Sequence, residues 1–203
     1  MADVSGITEL ILASASPRRS ELLRQAGYSF TAVVPPVGEP GPPPAGLSAC
    51  QQAEAAAYFK ARSVLEMGFV GPVLGADTVV ALKGKVLGKP ADEADARGML
   101  RTLSGTRHEV ITGVAILWRI GRRRIASDRT YVTMRRMTPE ELDSYIASGE
   151  WVGKAGAYAI QETADRFVER VEGSFSNVVG LPLELVRRML GEPGQPAGAA
   201  QNA

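Results

Sequence analysis

The sequence predicts an α/β or α+β domain built around one mixed β-sheet. Short apolar runs such as "ELILAS" and "SFTAVV" alternate along the chain with capped, helix-prone segments, the pattern of strands and helices that share one core. The chain has 203 residues, 45% of them hydrophobic, enough to fill one sizeable core, and no internal repeat divides it. Residues 1–190 therefore read as a single domain. The remainder, "GEPGQPAGAAQNA" from Gly191, has almost nothing to bury, so 191–203 reads as a disordered tail.

The first strand, in "ELILAS", runs directly into "SPRRSELLRQAG". Ser16 suits an N-cap there, and Pro17 suits the first helical position, where its missing N–H costs nothing and its fixed φ already fits. Gly27 suits the helix end. "SFTAVVPP" reads as a second strand, and the six prolines of "PPVGEPGPPPAG" then forbid both helix and central strand, predicting a loop. Residues 48–67 combine a Ser48 cap with alanine-rich helical propensity. "PVLGADTVVALKGKVLGKP" reads as a buried strand entering a hairpin with Lys83-Gly84 at its turn. "DEADARGMLRTLSG" places Met99, Leu100 and Leu103 on one helical face and ends near Gly105. Two longer strands follow, in "HEVITGVAILWRI" and "RIASDRTYVTMRR", joined through Gly121. In "TPEELDSYIASGE", Thr138 and Glu141 form a capping box with Pro139 at the first position. "RFVERVEG" alternates like a strand, and "LPLELVRRML" closes the fold with a short helix.

Composition narrows the function. Lys plus Arg number 23 against 22 Asp plus Glu, a net charge of +1, so no overall field recruits nucleic acid or a membrane and any anionic ligand must be held locally. The single cysteine, Cys50, excludes an internal disulfide and reads as a small helical residue. The N-terminus lacks the pattern of a signal peptide, and no apolar stretch approaches the ~18 residues of a spanning helix. A soluble, cytoplasmic protein is expected.

One local rule is broken. The first turn of a helix carries the positive end of its dipole, where a cation costs about 0.3–1 kcal/mol, yet Arg18 and Arg19 occupy that turn. A phosphate bound at the helix N-terminus makes both arginines favourable. The plain alternative is that they are solvated or paired with Glu21. Asp77 and Thr78 follow "VLGA", at the end of an apolar strand where sheet proteins place ligand-handling groups, though a turn-forming aspartate has the same appearance. Lys89, in "GKP", lies between hairpin and helix and is by itself equally a solvated loop lysine. Lys60 follows Glu54 by six residues, not the four of a helical ion pair, so local pairing with Glu54 does not explain it.

Other motifs are excluded. "GKVLGK" resembles a P-loop, but Gly84 and Gly88 are one residue too close and Pro90 replaces the required Ser or Thr. The lone His108 has no Cys or His cluster around it in sequence, which argues against zinc, and no G-x-S-x-G element marks a hydrolase serine. "GRRR" at 121–124 is read as a solvated hairpin tip rather than a nucleic-acid contact.

Five segments in order, "LILASASPRRSELLRQAG", "VLGADTVVALKGKVLGKP", "LSGTRHEVITGVAI", "KAGAYAIQ" and "SFSNVVGLPLELV", resemble the Maf family of nucleoside triphosphate pyrophosphatases over about residues 9–188. The resemblance implies a central mixed sheet flanked by helices, two lobes with a cleft, and an architecture related to inosine triphosphatases. It implies cleavage of a nucleoside triphosphate between the α and β phosphates with a divalent cation, Mg²⁺ or Mn²⁺. Carried over by motif, Ser14, Arg18, Arg19, Lys60 and Lys89 would hold phosphates, and Asp77 would be the proton acceptor. Arg18, Thr78 and Gln161 would select the substrate. Glu39 and Asp77 would bind metal. "GADT" with "AYAIQ" resembles the branch acting on dTTP and UTP. A homodimer and a link to arrest of cell division also follow from the resemblance.

This residue set is chemically coherent. Four cations can neutralise the leaving pyrophosphate, and Mg²⁺ prefers few carboxylates beside phosphate oxygens and water. Asp77 can activate water directly or by holding the metal; the sequence does not separate these roles. Two rival readings stay open at this stage: a non-catalytic nucleotide-binding regulator of septum formation, which has no need of Asp77, and a pyrophosphatase for a modified purine such as 7-methyl-GTP.

Overall fold

The computed structural model describes residues 9–37, 46–161 and 163–191. Glu39, the rest of the proline-rich segment at 38–45, and the tail after Gly191 lie outside the described residues. In chain order the elements are β1 (Leu10–Ala13), α1 (Pro17–Gln25), β2 (Phe30–Val33), α2 (Ala49–Leu65), β3 (Val73–Leu82), β4 (Lys85–Leu87), α3 (Glu93–Leu103), β5 (Arg107–Leu117), β6 (Arg123–Met134), α4 (Pro139–Ala147), β7 (Val168–Glu172), α5 (Phe175–Val179) and α6 (Leu183–Leu190). The seven strands form one mixed sheet in the order β2-β1-β3-β5-β6-β7, with β4 pairing β3. β1 runs parallel to β2 and β3, and the other pairs are antiparallel.

Most expected boundaries hold, and for the expected reasons. Lys83 and Gly84 both adopt positive φ, 50° and 80°, at the β3–β4 turn. Capping boxes close the starts of α2 and α4, and Gly27 takes φ 81° after α1. On α3, Ala96, Leu100 and Leu103 are buried and Met99 packs against the same cluster from a partly buried position, as its place on that face predicts. One reading needs correction. In "RFVERVEG" the strand starts at Val168, because Thr163–Phe167 is a 3₁₀ turn that drives Phe167 fully into the core.

The alanines of α2 have a specific task. Ala53, Ala57 and Ala61 recur at helical spacing and are fully buried against Gly75 of β3 and Gly113 of β5. A Cβ built on Gly113 would stand 2.2 Å from the backbone of Ala53, and one on Gly75 would stand 2.3 Å from the carbonyl oxygen of Ala57. The helix therefore lies on the sheet at a distance that only glycine permits at these two positions. Any larger residue there forces α2 outward.

Strand periodicity then sorts β3 between two faces. Val73, Val79 and Ala81 pack with α2, whereas Leu74 and Ala76 join a cluster with Leu22 and Leu23 of α1, and Val80 joins a second cluster with α3 and α4. Between these two clusters, on the face away from α2, stand Thr78 and its cross-strand neighbour Thr112. β1 covers the edge of β3 only as far as Gly75, and β4 covers it from Val80. Asp77 and Thr78 fall in the gap. No described helix is long and apolar enough to cross a membrane.

Candidate active site

A cavity of about 310 Å³ opens at that gap. It brings together Arg18 and Arg19 from α1, Lys60 from α2, Asp77 and Thr78 from β3, Lys89 after β4, and Gln161 from the segment before β7. Residues spread over more than 140 positions of sequence thus meet in one place. Ser14 is buried and is not among the lining residues; its hydroxyl accepts the backbone N–H of Ser16 at 3.1 Å and Nη1 of Arg19 at 3.4 Å.

Asp77 and Lys60 form the charged centre. Lys60 Nζ donates to Asp77 Oδ1 at 2.5 Å, with side chains only 15% and 16% exposed. The close seat of α2 on Gly113 makes this reach possible, since Gly113 lies directly across from Asp77 in the β3–β5 register. It also explains why Lys60 has no helical partner: its carboxylate is on the sheet. Asp77 is the sole carboxylate lining the cavity among the described residues.

Arg19 is held from three sides. Nε donates to the Gly180 carbonyl at 2.8 Å, Nη2 to the Thr78 hydroxyl at 3.1 Å, and Nη1 to Ser14. The Thr78 hydroxyl stands 2.9 Å from that of Thr112, which donates to the Asn177 carbonyl at 3.0 Å. A hydroxyl has one proton, so with the Thr112 proton committed to Asn177, Thr78 must be the donor to Thr112. Thr78 is left with acceptor capacity only. Asn177 in turn is fully buried and donates Nδ2 to the Val110 carbonyl and the Thr130 hydroxyl, both at 3.0 Å, pinning α5 across β5 and β6.

At the start of α1, Ser16 occupies the N-cap with extended φ and ψ, but its side chain makes no capping bond, and no acid stands in the first turn. Glu21, the alternative partner for the arginines, instead bonds Arg24 and Gln25. The N–H groups at the start of α1 are thus left without a side-chain cap or a first-turn acid, the arrangement that suits an anionic ligand.

The opposite wall is made of loops. Ala155–Ala157, which runs into "AYAIQ", is a short 3₁₀ turn in which Gly156 and Ala157 both take positive φ, 66° and 63°. Gly156 N–H donates to the Gly88 carbonyl at 2.9 Å, tying this turn to the loop that carries Lys89. Tyr158 also lines the cavity, and its hydroxyl lies 2.7 Å from Nε2 of His108, whose ring is edge-on to it. Burial pushes the His108 imidazole down to about 4, so it is neutral, and it supports the wall rather than binding metal. Lys154, at the head of the 3₁₀ turn, lines the cavity while only 7% exposed. Sequence reasoning passed over Lys154, Thr112 and Asn177, and weighed His108 only as a zinc ligand. A lysine between two glycines in an otherwise apolar segment, and an asparagine within "FSNVV", were the available signals.

The fold is thus that of an α/β protein whose cavity, among the described residues, sets one carboxylate among several cations. The family model Maf-like protein matches residues 9–193. A dTTP/UTP pyrophosphatase of Pelotomaculum thermopropionicum is 46% identical over 183 residues, covering 90% of this chain and 95% of that one. One of Cereibacter sphaeroides is 46% identical over 192 residues, covering 92% and 96%. Among solved structures, a HAM1 protein from Coxiella burnetii is similar at 20% identity and a TM-score of 0.45, over 77% of this chain and 89% of that one. The chain belongs to the Maf family.

Proposed function

We propose that the protein is a nucleoside triphosphate pyrophosphatase that hydrolyses dTTP and UTP to the monophosphate and pyrophosphate. The observation that carries this reading is the Lys60–Asp77 pair set in a cavity with Arg18, Arg19 and Lys89, in a chain about 46% identical to relatives named for that activity. Asp77 is oriented by Lys60 and accepts the proton of a water that attacks the α phosphorus. The bond from that phosphorus to the bridging oxygen breaks, and pyrophosphate leaves with its charge met by the arginines and Lys89. Asp77 Oδ1 takes Lys60, and Oδ2 has no hydrogen-bond partner among the described residues. One uncommitted carboxylate oxygen beside phosphate oxygens and water is a donor set that suits Mg²⁺ or Mn²⁺. Such a cation would neutralise phosphoryl charge, with Asp77, and by resemblance Glu39, as its protein ligands.

The base is read by Thr78 and Gln161. Because the Thr78 proton is committed to Thr112, Thr78 can only accept, which matches the N3–H of uracil and thymine and mismatches cytosine, whose N3 has no proton. The Gln161 amide supplies a donor for the neighbouring carbonyl. A mismatched base leaves polar groups unpaired, which discriminates strongly. The cytoplasm, where a nucleotide pool is available, is the compartment this activity requires.

A panel of nucleotides with Mg²⁺ or Mn²⁺, assayed for pyrophosphate, tests the reading. dTTP and UTP should be the best substrates, and Gln161→Ala should weaken that preference. Preference for 7-methyl-GTP or ITP would overturn the base assignment, and no turnover of any nucleotide would favour a non-catalytic binding role.

A further inference from the structure

We propose that Lys154 is a binding residue for the pyrophosphate end of the substrate, facing Arg18 across the cavity so that one anionic phosphoryl group bridges the two walls. This rests on the pyrophosphatase reading and extends it to a residue that reading does not use.

Lys154 and Arg18 both line the cavity, one from the 3₁₀ turn and one from the first turn of α1. Lys154 is almost wholly buried, a costly place for an ammonium. Burial first, then the charge of Arg18, lower its basicity, while Glu150 partly offsets them. Glu150 Oε2 takes the backbone N–H and hydroxyl of Thr163, at 3.1 and 2.7 Å. Two cations brought close enough to repel become favourable when an anion sits between them.

The lysine's position is built rather than incidental. Its N–H donates to the Trp151 carbonyl at 3.2 Å, and its own carbonyl accepts from Ala157 at 3.0 Å. Ala157 holds a left-handed conformation, which is unfavourable for a non-glycine residue. Through the Gly156–Gly88 bond the same turn is fastened to the loop bearing Lys89. Lys89 and Lys154 therefore stand on joined loops and line the same cavity as Arg18. The nucleobase is neutral and its carbonyls carry only partial charge, so three cations converging here select the most highly charged part of a triphosphate, which is the departing pyrophosphate.

Equilibrium binding of inorganic pyrophosphate and of dTMP, measured by calorimetry without turnover, tests this. Lys154→Met should weaken pyrophosphate binding by about 10- to 100-fold, as for the loss of one charge-assisted contact, and leave dTMP binding within about twofold. Lys154→Arg, which keeps the charge, should restore much of the affinity. In the wild type, the Lys154 side-chain NMR resonance, assigned by its loss in Lys154→Arg, should shift with pyrophosphate and not with thymidine. Unchanged pyrophosphate affinity in a folded Lys154→Met protein, or a resonance indifferent to pyrophosphate, would overturn the proposal. Turnover of dTTP by the wild type is scored separately, so loss of the pyrophosphatase reading is distinguishable from loss of this one.

Discussion

Arg19, Lys60, Asp77 and Thr78 stand on α1, α2 and β3, joined to one another and to the sheet by hydrogen bonds of 2.5–3.1 Å, whereas Lys89, Lys154 and Gln161 stand on two loops fastened together by the backbone bond from Gly156 to Gly88. The first wall is rigid because regular elements converge on it: two glycines admit α2, and a chain of hydroxyls fixes Arg19. The second depends on left-handed turn residues and on a buried Tyr158–His108 pair. A site made this way has its chemistry on the preorganised side and its grip on the substrate on the more adaptable side. Changes on the first wall should act on kcat, and changes on the second chiefly on KM.

The largest effect belongs to the first wall. Asp77→Asn is nearly isosteric and removes only the charge, so kcat should fall by about 10³-fold or more with the thermal midpoint little changed. Substantial residual turnover in the purified variant would break the assignment of chemistry to this side.

A test of the second wall uses pH. The His108 imidazole titrates near 4 in the fold against 6.5 when unperturbed, so between those values the unfolded chain binds a proton that the fold refuses. Stability should therefore decline as pH falls from about 6.5 to about 4, by roughly 3 kcal/mol in all, and this contribution should level off below. The Glu141 carboxylate, held down to about 2 by Arg135, loses its contribution in the lower window from about 4.5 to 2, which separates the two. Urea unfolding across this range should show the upper slope in the wild type and its absence in His108→Gln. An equal slope in the variant would remove His108 from the account.

Arg18→Ala and Lys89→Ala should each lower kcat/KM by about 10²-fold, as charge-assisted phosphate contacts do. For Lys89 the loss should appear mainly in KM. If both variants lose only kcat, the division between the walls is wrong. The smallest change is Thr112→Val, which touches no substrate but deprives Thr78 of its acceptor and loosens Arg19. A five- to tenfold fall in kcat/KM is expected, on the order of one neutral hydrogen bond, with a broader choice of pyrimidine as Thr78 regains a proton to donate. Unaltered kinetics and base preference would show the hydroxyl chain to be structural only.

Legibility in the sequence follows the same division. Strand and helix positions were readable from periodicity, caps and turn glycines, and the arginines of α1 stood out by violating the dipole rule. Lys60 and Asp77 were readable as unexplained charges, but not as partners, because their meeting depends on how closely Gly113 lets α2 approach. The direction of the Thr78 hydroxyl depends on Asn177, 99 residues away, and no local pattern encodes it. Ser16 looked like a complete cap, and only the structure shows its side chain making no capping bond. Lys154 lay inside a segment whose conformation, two consecutive left-handed residues, breaks both the helical and the strand period. Periodicity has nothing to say there.

The central claim, that this cavity directs water to the α phosphorus of a triphosphate, is tested most directly by following dTTP hydrolysis in ¹⁸O-labelled water and identifying both products. The account predicts dTMP and pyrophosphate in equal amounts, with the label in dTMP. Release of orthophosphate with dTDP, or label in the pyrophosphate, would contradict it.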